Sequence, residues 1–205
     1  MIDLYFAPTA NGLRATVALE ETALPYRVHA LDLYKGEQHA PEFQRINPAG
    51  LIPVIVDPDG PGGKPITVNQ SGAIILYCAE KAGRLIPADN ARRALAMQWM
   101  MQAASDISGA SMAVFRLENT APEKSIANVD YFKKRLRDAF LDCDRALESN
   151  EYLAGELSVA DLMLYPSYAL RKSLLDEAGG YDNLRKWGER MAARPAIERA
   201  MRYVS

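Results

Sequence analysis

The 205-residue chain is 49% hydrophobic and 24% charged, enough apolar material for a substantial core and too much for a globally disordered polymer. Its 24 basic and 26 acidic residues leave a formal net charge of -2, which gives no electrostatic reason to expect nucleic acid or an anionic membrane as partner. The opening Ile2-Asp3-Leu4-Tyr5-Phe6 lacks a basic leader followed by a signal stretch, and no run of about 18 apolar residues occurs, so the expected location is the cytoplasm and the expected partner a small molecule.

Ile2 to Phe6 reads as a short buried strand, and Gly12 to Glu21 as a helix with Leu13, Val17 and Ala18 on its apolar side. Between them lies Ala7-Pro8-Thr9-Ala10-Asn11-Gly12. The N–H groups at a helix start favour an anion, and the side chains of Thr9 and Asn11 can each donate a hydrogen bond toward one. Either residue can equally serve as an ordinary helix cap.

Arg27 to Leu33 is expected as a second strand, followed by a short helical turn at Pro41-Glu42-Phe43. Ile52 to Asp57 and Ile66 to Val68 then bracket the proline- and glycine-rich Asp57–Gly63, the pattern of two antiparallel strands joined by a loop. Pro53 cannot donate to a sheet ladder. It either starts an edge strand in trans or follows a cis Ile52-Pro53 bond, which leaves the main chain of Ile52 free to pair with an extended peptide. In Asn69-Gln70-Ser71-Gly72-Ala73-Ile74, Ser71 can cap the next helix, Ser71 to Ala82, while its hydroxyl and the first amides face a carboxylate.

Gly83 ends that helix. The expected division is a first domain over 1–83, a linker over 84–90 and an all-helical domain over 91–205, where Phe132, Leu136, Ala139, Cys143 and Leu147 form one stripe. Met100, Met101, Met112 and Phe115 could line a site for the second substrate, but core packing is the expected reading for each. Cys78 and Cys143 sit in apolar helical patterns without dithiol or zinc spacing, which makes them buried structural thiols and predicts no metal. Ser158 and Asp161 have capping-box spacing, with Leu157 and Leu162 at the flanking staple positions.

Tyr5-Phe6-Ala7-Pro8-Thr9-Ala10-Asn11-Gly12, Lys35-Gly36-Glu37-Gln38, Asn47-Pro48, Ile52-Pro53, Gln70-Ser71-Gly72-Ala73-Ile74 and Leu157-Ser158-Val159-Ala160-Asp161-Leu162 follow one another in this order. Together they resemble the glutathione transferase superfamily, most closely its bacterial nu-class, disulfide-bond-oxidoreductase branch. The resemblance implies an α/β, thioredoxin-like N-terminal domain with a C-terminal helical bundle, assembled as a homodimer. It implies that Thr9 and Asn11 contact the glutathione sulfur, that Gln38 assists at the glycyl end, that Ile52 pairs with the cysteinyl backbone with Pro53 beside it in the glutathione site, and that Gln70 and Ser71 hold the γ-glutamyl end. Gln70 stands where that branch commonly has glutamate. The implied chemistry is attack of a bound glutathione thiolate on a small disulfide or an electrophilic carbon, with no protein cysteine as nucleophile. The competing reading is a non-catalytic relative that carries a ligand or binds a protein partner. Asp106 resembles an acidic residue that in some classes reaches the partner subunit's ligand, but a surface aspartate is the simpler reading and it stays outside the site.

Overall fold

The structure is a computed structural model that describes residues 1–204. The chain forms two compact units, one of Met1–Arg84 together with the segment from Ala193 onward, the other of Leu85–Ala192. In the first unit the elements are β1 (Ile2–Phe6), α1 (Ala10–Thr22), β2 (Tyr26–Ala30), α2 (Pro41–Ile46), β3 (Val54–Asp57), β4 (Ile66–Asn69) and α3 (Ser71–Ala82). The strands lie in the order β2-β1-β3-β4. β1 runs parallel to β2, with Leu4 beside Val28, and antiparallel to β3, with Leu4 beside Ile55; β3 and β4 are antiparallel. Alternation along β1 buries Ile2, Leu4 and Phe6, and α1 packs against α3, burying Leu13, Val17, Ile74, Ile75 and Cys78. This is the thioredoxin-like βαβαββα arrangement.

Two strands are shorter than the sequence predicts. β2 ends at Ala30 because Asp32 starts a turn, its side chain accepting from the N–H groups of Tyr34 at 2.9 Å and Lys35 at 3.2 Å. β3 begins only at Val54, after the proline that has no N–H to give.

At the far end of β3 the buried Asp57 carboxylate accepts from Lys81 Nζ at 2.8 Å, Tyr77 Oη at 2.5 Å and Asp59 N–H at 2.9 Å. Burial alone would raise this carboxyl, but the hydrogen bonds from Lys81, Tyr77 and Asp59 outweigh it and hold the pKa below the ordinary value of 3.8. A depressed acid stabilises the fold above its ordinary pKa, and that stability is lost as pH falls through the lower, folded value. Asp57→Asn should therefore cost about 1–3 kcal/mol at neutral pH and flatten the acid side of the stability curve, which denaturant melts at a series of pH values will show.

The C-terminal helix α9 spans Pro195–Met201 and packs on α1. Arg194 forks onto Glu21, Nε to Oε1 at 2.6 Å and Nη2 to Oε2 at 2.9 Å, and Arg199 reaches Glu20 at 2.6 Å. Periodicity identifies a helix in this segment but not the surface it buries against.

The second unit contains α4 (Asn90–Gln102), a π-helical turn (Ala103–Ile107), α5 (Ser108–Asn119), α6 (Ile126–Ala146), α7 (Val159–Ala178) and α8 (Asp182–Ala192). Of the stripe on α6, Leu136, Ala139, Cys143 and the following Leu147 are buried and Phe132 is half-buried. Met100 is in the core, but Met101, Met112 and Phe115 are 51%, 41% and 50% exposed, so three of the four expected core residues lie on the surface instead.

Ser158 and Asp161 form the capping box at the start of α7. Asp161 is fully buried and accepts four hydrogen bonds, from Ser158 N–H at 3.0 Å, Ser158 Oγ at 3.2 Å, Leu153 N–H at 3.1 Å and Trp187 Nε1 at 2.9 Å. Burial pushes its carboxyl up to about 6 even against these donors. Among the described residues no helix is long and apolar enough to cross a membrane.

Candidate functional site

The β1–α1 turn brings the first two candidates to one helix terminus. Thr9 is the N-cap of α1 in extended conformation, and its Oγ1 accepts from Gly12 N–H at 3.1 Å. Capping consumes a lone pair and leaves the hydroxyl proton available. A Cβ at Gly12 would lie 2.0 Å from the Ala7 carbonyl oxygen, so only glycine lets the turn close this tightly.

Asn11 does not cap; it is the second residue of α1. Its Oδ1 accepts from Arg14 Nη1 at 2.5 Å and from Ser71 Oγ at 3.3 Å, the latter bond tying the start of α1 to the start of α3. Among the described residues the Asn11 Nδ2 donates to nothing. Arg14 is 1% exposed, and burial lowers its pKa to about 10, which still leaves it a cation at neutral pH.

Ser71 is the first residue of α3 rather than its cap, and its hydroxyl donates to Asn11 Oδ1. Gln70 holds the cap position at φ 69° and ψ 117°, with no side-chain cap bond. A non-glycine residue there costs about 1–3 kcal/mol of backbone strain, a feature concentrated at ligand sites. Its exposed side chain projects from a fixed, unusual backbone.

The Ile52-Pro53 bond is cis, and no hydrogen bond among the described residues uses the main chain of Ile52. Val54 pairs with Asn69, so Ile52 and Pro53 reach the sheet at the end where Gln70 and Ser71 begin α3. Asn47 holds the preceding loop, donating from Nδ2 to Leu51 C=O at 2.7 Å and accepting at Oδ1 from Ala49 N–H at 3.3 Å.

Gln38 comes from the segment before α2. Its Nε2 donates to Leu33 C=O at 3.5 Å, while its buried Oε1 has no partner among the described residues. A buried carbonyl oxygen in that state is a ready acceptor for an incoming donor. A Cβ at Gly50 would stand 3.1 Å from the Gln38 carbonyl oxygen and 2.9 Å from His39 Nδ1, so this segment passes tightly by the loop that leads to Ile52.

A hydrogen bond thus joins Asn11 to Ser71, chain adjacency adds Thr9 and Gln70, sheet register adds Ile52 and Pro53, and a close loop approach adds Gln38. Two supporting residues have no role assigned from the sequence: Asn47, which appears there only within the Asn47-Pro48 motif, and Arg14. Arg14 follows Asn11 by three residues, the spacing of helix neighbours, which was the available signal. Chemically, the arrangement offers unspent O–H and N–H donors at a helix N-terminus beside a free stretch of main chain, a combination suited to an extended peptide ending in, or interrupted by, an anion. Among the described residues no group of His, Cys, Asp or Glu could hold a metal ion, and burial pushes the thiols of Cys78 and Cys143 up to about 12, far from a reactive nucleophile.

Comparison with known proteins gives a consistent result over nearly the whole chain. Residues 10–81 match the glutathione S-transferase N-terminal domain and residues 106–201 the glutathione S-transferase C-terminal domain. The chain is 36% identical over 204 residues to the disulfide-bond oxidoreductase YfcG of Escherichia coli, covering 98% of this chain and 94% of that protein. It superposes with a TM-score of 0.89 and 32% identity on a glutathione transferase from Burkholderia graminis with two glutathione molecules bound per subunit, covering 98% of this chain and 87% of the other. A glutathione transferase from Pseudomonas putida with one glutathione disulfide per subunit gives the same TM-score at 29% identity, over 98% and 90% of the two chains. On the matched domains, the full-length relative and the shared fold, this chain belongs to the glutathione transferase family.

Proposed function

We propose that the chain binds glutathione at the start of α1 and α3 and uses its thiolate to reduce small disulfides. Asn11 carries this reading: its oxygen is spent on Arg14 and Ser71, and its nitrogen, beside the Thr9 hydroxyl at the α1 N-terminus, is left to meet an anion. Ile52 then pairs with the cysteinyl main chain at the cis Pro53, Gln70 and Ser71 take the γ-glutamyl end, and Gln38 assists at the glycyl end, its unpartnered Oε1 accepting from the glycyl N–H.

Donors aimed at sulfur favour the thiolate, which attacks one sulfur of a disulfide and expels the other as a thiolate that takes up a proton. A second glutathione thiolate attacks the mixed disulfide, yielding glutathione disulfide and a second thiol. The relatives with two glutathiones or one glutathione disulfide bound support this stoichiometry over conjugation. Conjugation to an electrophilic carbon is the second reading, since the same thiolate serves it. The cytoplasm, where the thiol poise keeps glutathione reduced, is the fitting compartment.

We also propose a homodimer, because Leu95, Met101, Met112 and Phe115 leave apolar side chains 41% to 51% exposed on α4 and α5. Light scattering at micromolar concentration should give twice the chain mass; a monomer would contradict it.

Retention on immobilised glutathione, followed by assays with a small disulfide and with an aromatic electrophile, tests the function. Retention with disulfide turnover supports the proposal, retention with electrophile turnover alone moves the chain to conjugation, and retention without either favours a carrier.

A further inference from the structure

We propose that Arg14 is a positioning residue for the thiol chemistry: its guanidinium fixes the Asn11 carboxamide with the oxygen turned inward and the nitrogen turned toward the ligand sulfur. This rests on the glutathione reading above and extends it to a residue that touches no substrate.

An arginine guanidinium has five N–H donors and no acceptor. Arg14 Nη1 stands 2.5 Å from one end of the Asn11 carboxamide, so that end must be the oxygen; a flipped amide would set N–H donors against a cation. Ser71 Oγ, 3.3 Å from the same atom, cannot make this choice, because a hydroxyl donates to an oxygen and accepts from a nitrogen equally well.

Arg14 is therefore the group that distinguishes the two orientations. Its burial, 1% exposed, keeps water from competing for the oxygen. With Oδ1 held, Nδ2 is the end left to donate, and it lies on the first turn of α1 beside the Thr9 cap.

The test is a pH titration of the ultraviolet absorbance of bound glutathione thiolate in the wild type, Arg14→Met, Arg14→Lys, Asn11→Ala and the Arg14→Met/Asn11→Ala double variant, with kcat and KM beside it. Methionine fills the space and cannot donate; lysine keeps a cationic donor. Arg14→Met should raise the bound thiol pKa by about one unit and lower kcat severalfold at neutral pH, with KM for glutathione within about threefold of wild type. Arg14→Lys should restore most of the difference. In the Asn11→Ala background Arg14→Met should add no further pKa shift, because the carboxamide it orients is gone.

An unshifted pKa in folded Arg14→Met overturns the proposal. So does an equal shift in both backgrounds, which would mean that the cation acts on sulfur directly. Should Arg14→Met not fold, the wild type decides: the Asn11 side-chain ¹⁵NH₂ signals should titrate with the bound thiol, and signals that ignore it while the thiolate band titrates overturn the proposal. A wild type that binds glutathione without lowering its thiol pKa sinks the sulfur-site reading itself and this proposal with it, whereas normal wild-type titration with an indifferent Arg14 sinks only the latter.

Discussion

Asn11→Ala should lower turnover at neutral pH about tenfold while changing glutathione affinity less than about threefold. The side chain gives one donor to the sulfur, whereas Ile52, Gln70, Ser71 and Gln38 hold the rest of the tripeptide, so the loss falls on reactivity and not on binding. Each unit by which the thiol pKa rises past the working pH removes about tenfold of the thiolate. The more basic sulfur is the better nucleophile and returns about threefold of that per unit. Loss of the aligned donor itself adds to the deficit. The rate should therefore recover as pH is raised, a profile that a folding defect cannot produce. Thr9→Ala should act in the same direction through the second donor, and less than additively with Asn11→Ala, because both address one sulfur. A pH–rate profile beside a glutathione titration checks this; unchanged turnover and thiol pKa in both variants would remove Thr9 and Asn11 from the sulfur site.

Asp161→Ala should be the most damaging single change to stability, at about 3–5 kcal/mol. A cap alone would cost about 0.5–2 kcal/mol. Here the carboxylate also accepts from Leu153 N–H and Trp187 Nε1, so its removal strands buried donors from three residues on separate stretches of chain. Asparagine would not rescue it, since its amide nitrogen would face some of those donors. For a chain of this length the expected fall in thermal midpoint is about 10 °C. Trp187, completely buried against Tyr165 and Tyr168, gives a fluorescence signal that should report the same transition. A midpoint within about 2 °C of wild type would mean that the network is dispensable. Glutathione affinity of the folded variant should be unchanged, because Asp161 belongs to the other unit from Asn11.

What the sequence made legible follows from which interactions are local. The helix Ser71–Ala82 was readable to the residue because Gly83 supplies the left-handed stop, at φ 63°. Ser158 and Asp161 were readable as a cap because they stand three positions apart. Pro53 forced a choice between two geometries that the structure resolves as cis.

Non-local contacts were not legible. Nothing near Asp161 announces Trp187, 26 residues on, and nothing in the amphipathic pattern of 195–201 says that its apolar side belongs to α1. The exposure of Met101, Met112 and Phe115 is equally invisible, since the same stripe serves a core or an open surface. In the site, capping and ligand binding were alternatives at Thr9 and Asn11 in the sequence. The structure separates them, with Thr9 capping and Asn11 not, and also moves Ser71 from capping α3 to bonding Asn11. The positive φ of Gln70 had no signal at all, because a glutamine seldom adopts it.

The measurement that reaches the central claim most directly is the pKa of the thiol of glutathione bound to the wild-type protein, read from thiolate absorbance against pH at saturating ligand. The unspent donors of Thr9 and of the Asn11 carboxamide that Arg14 orients, with the α1 N-terminus, predict a value about one to two units below the ordinary thiol value of about 8.5. A bound thiol that titrates at its ordinary value, or no binding at all, would contradict the account.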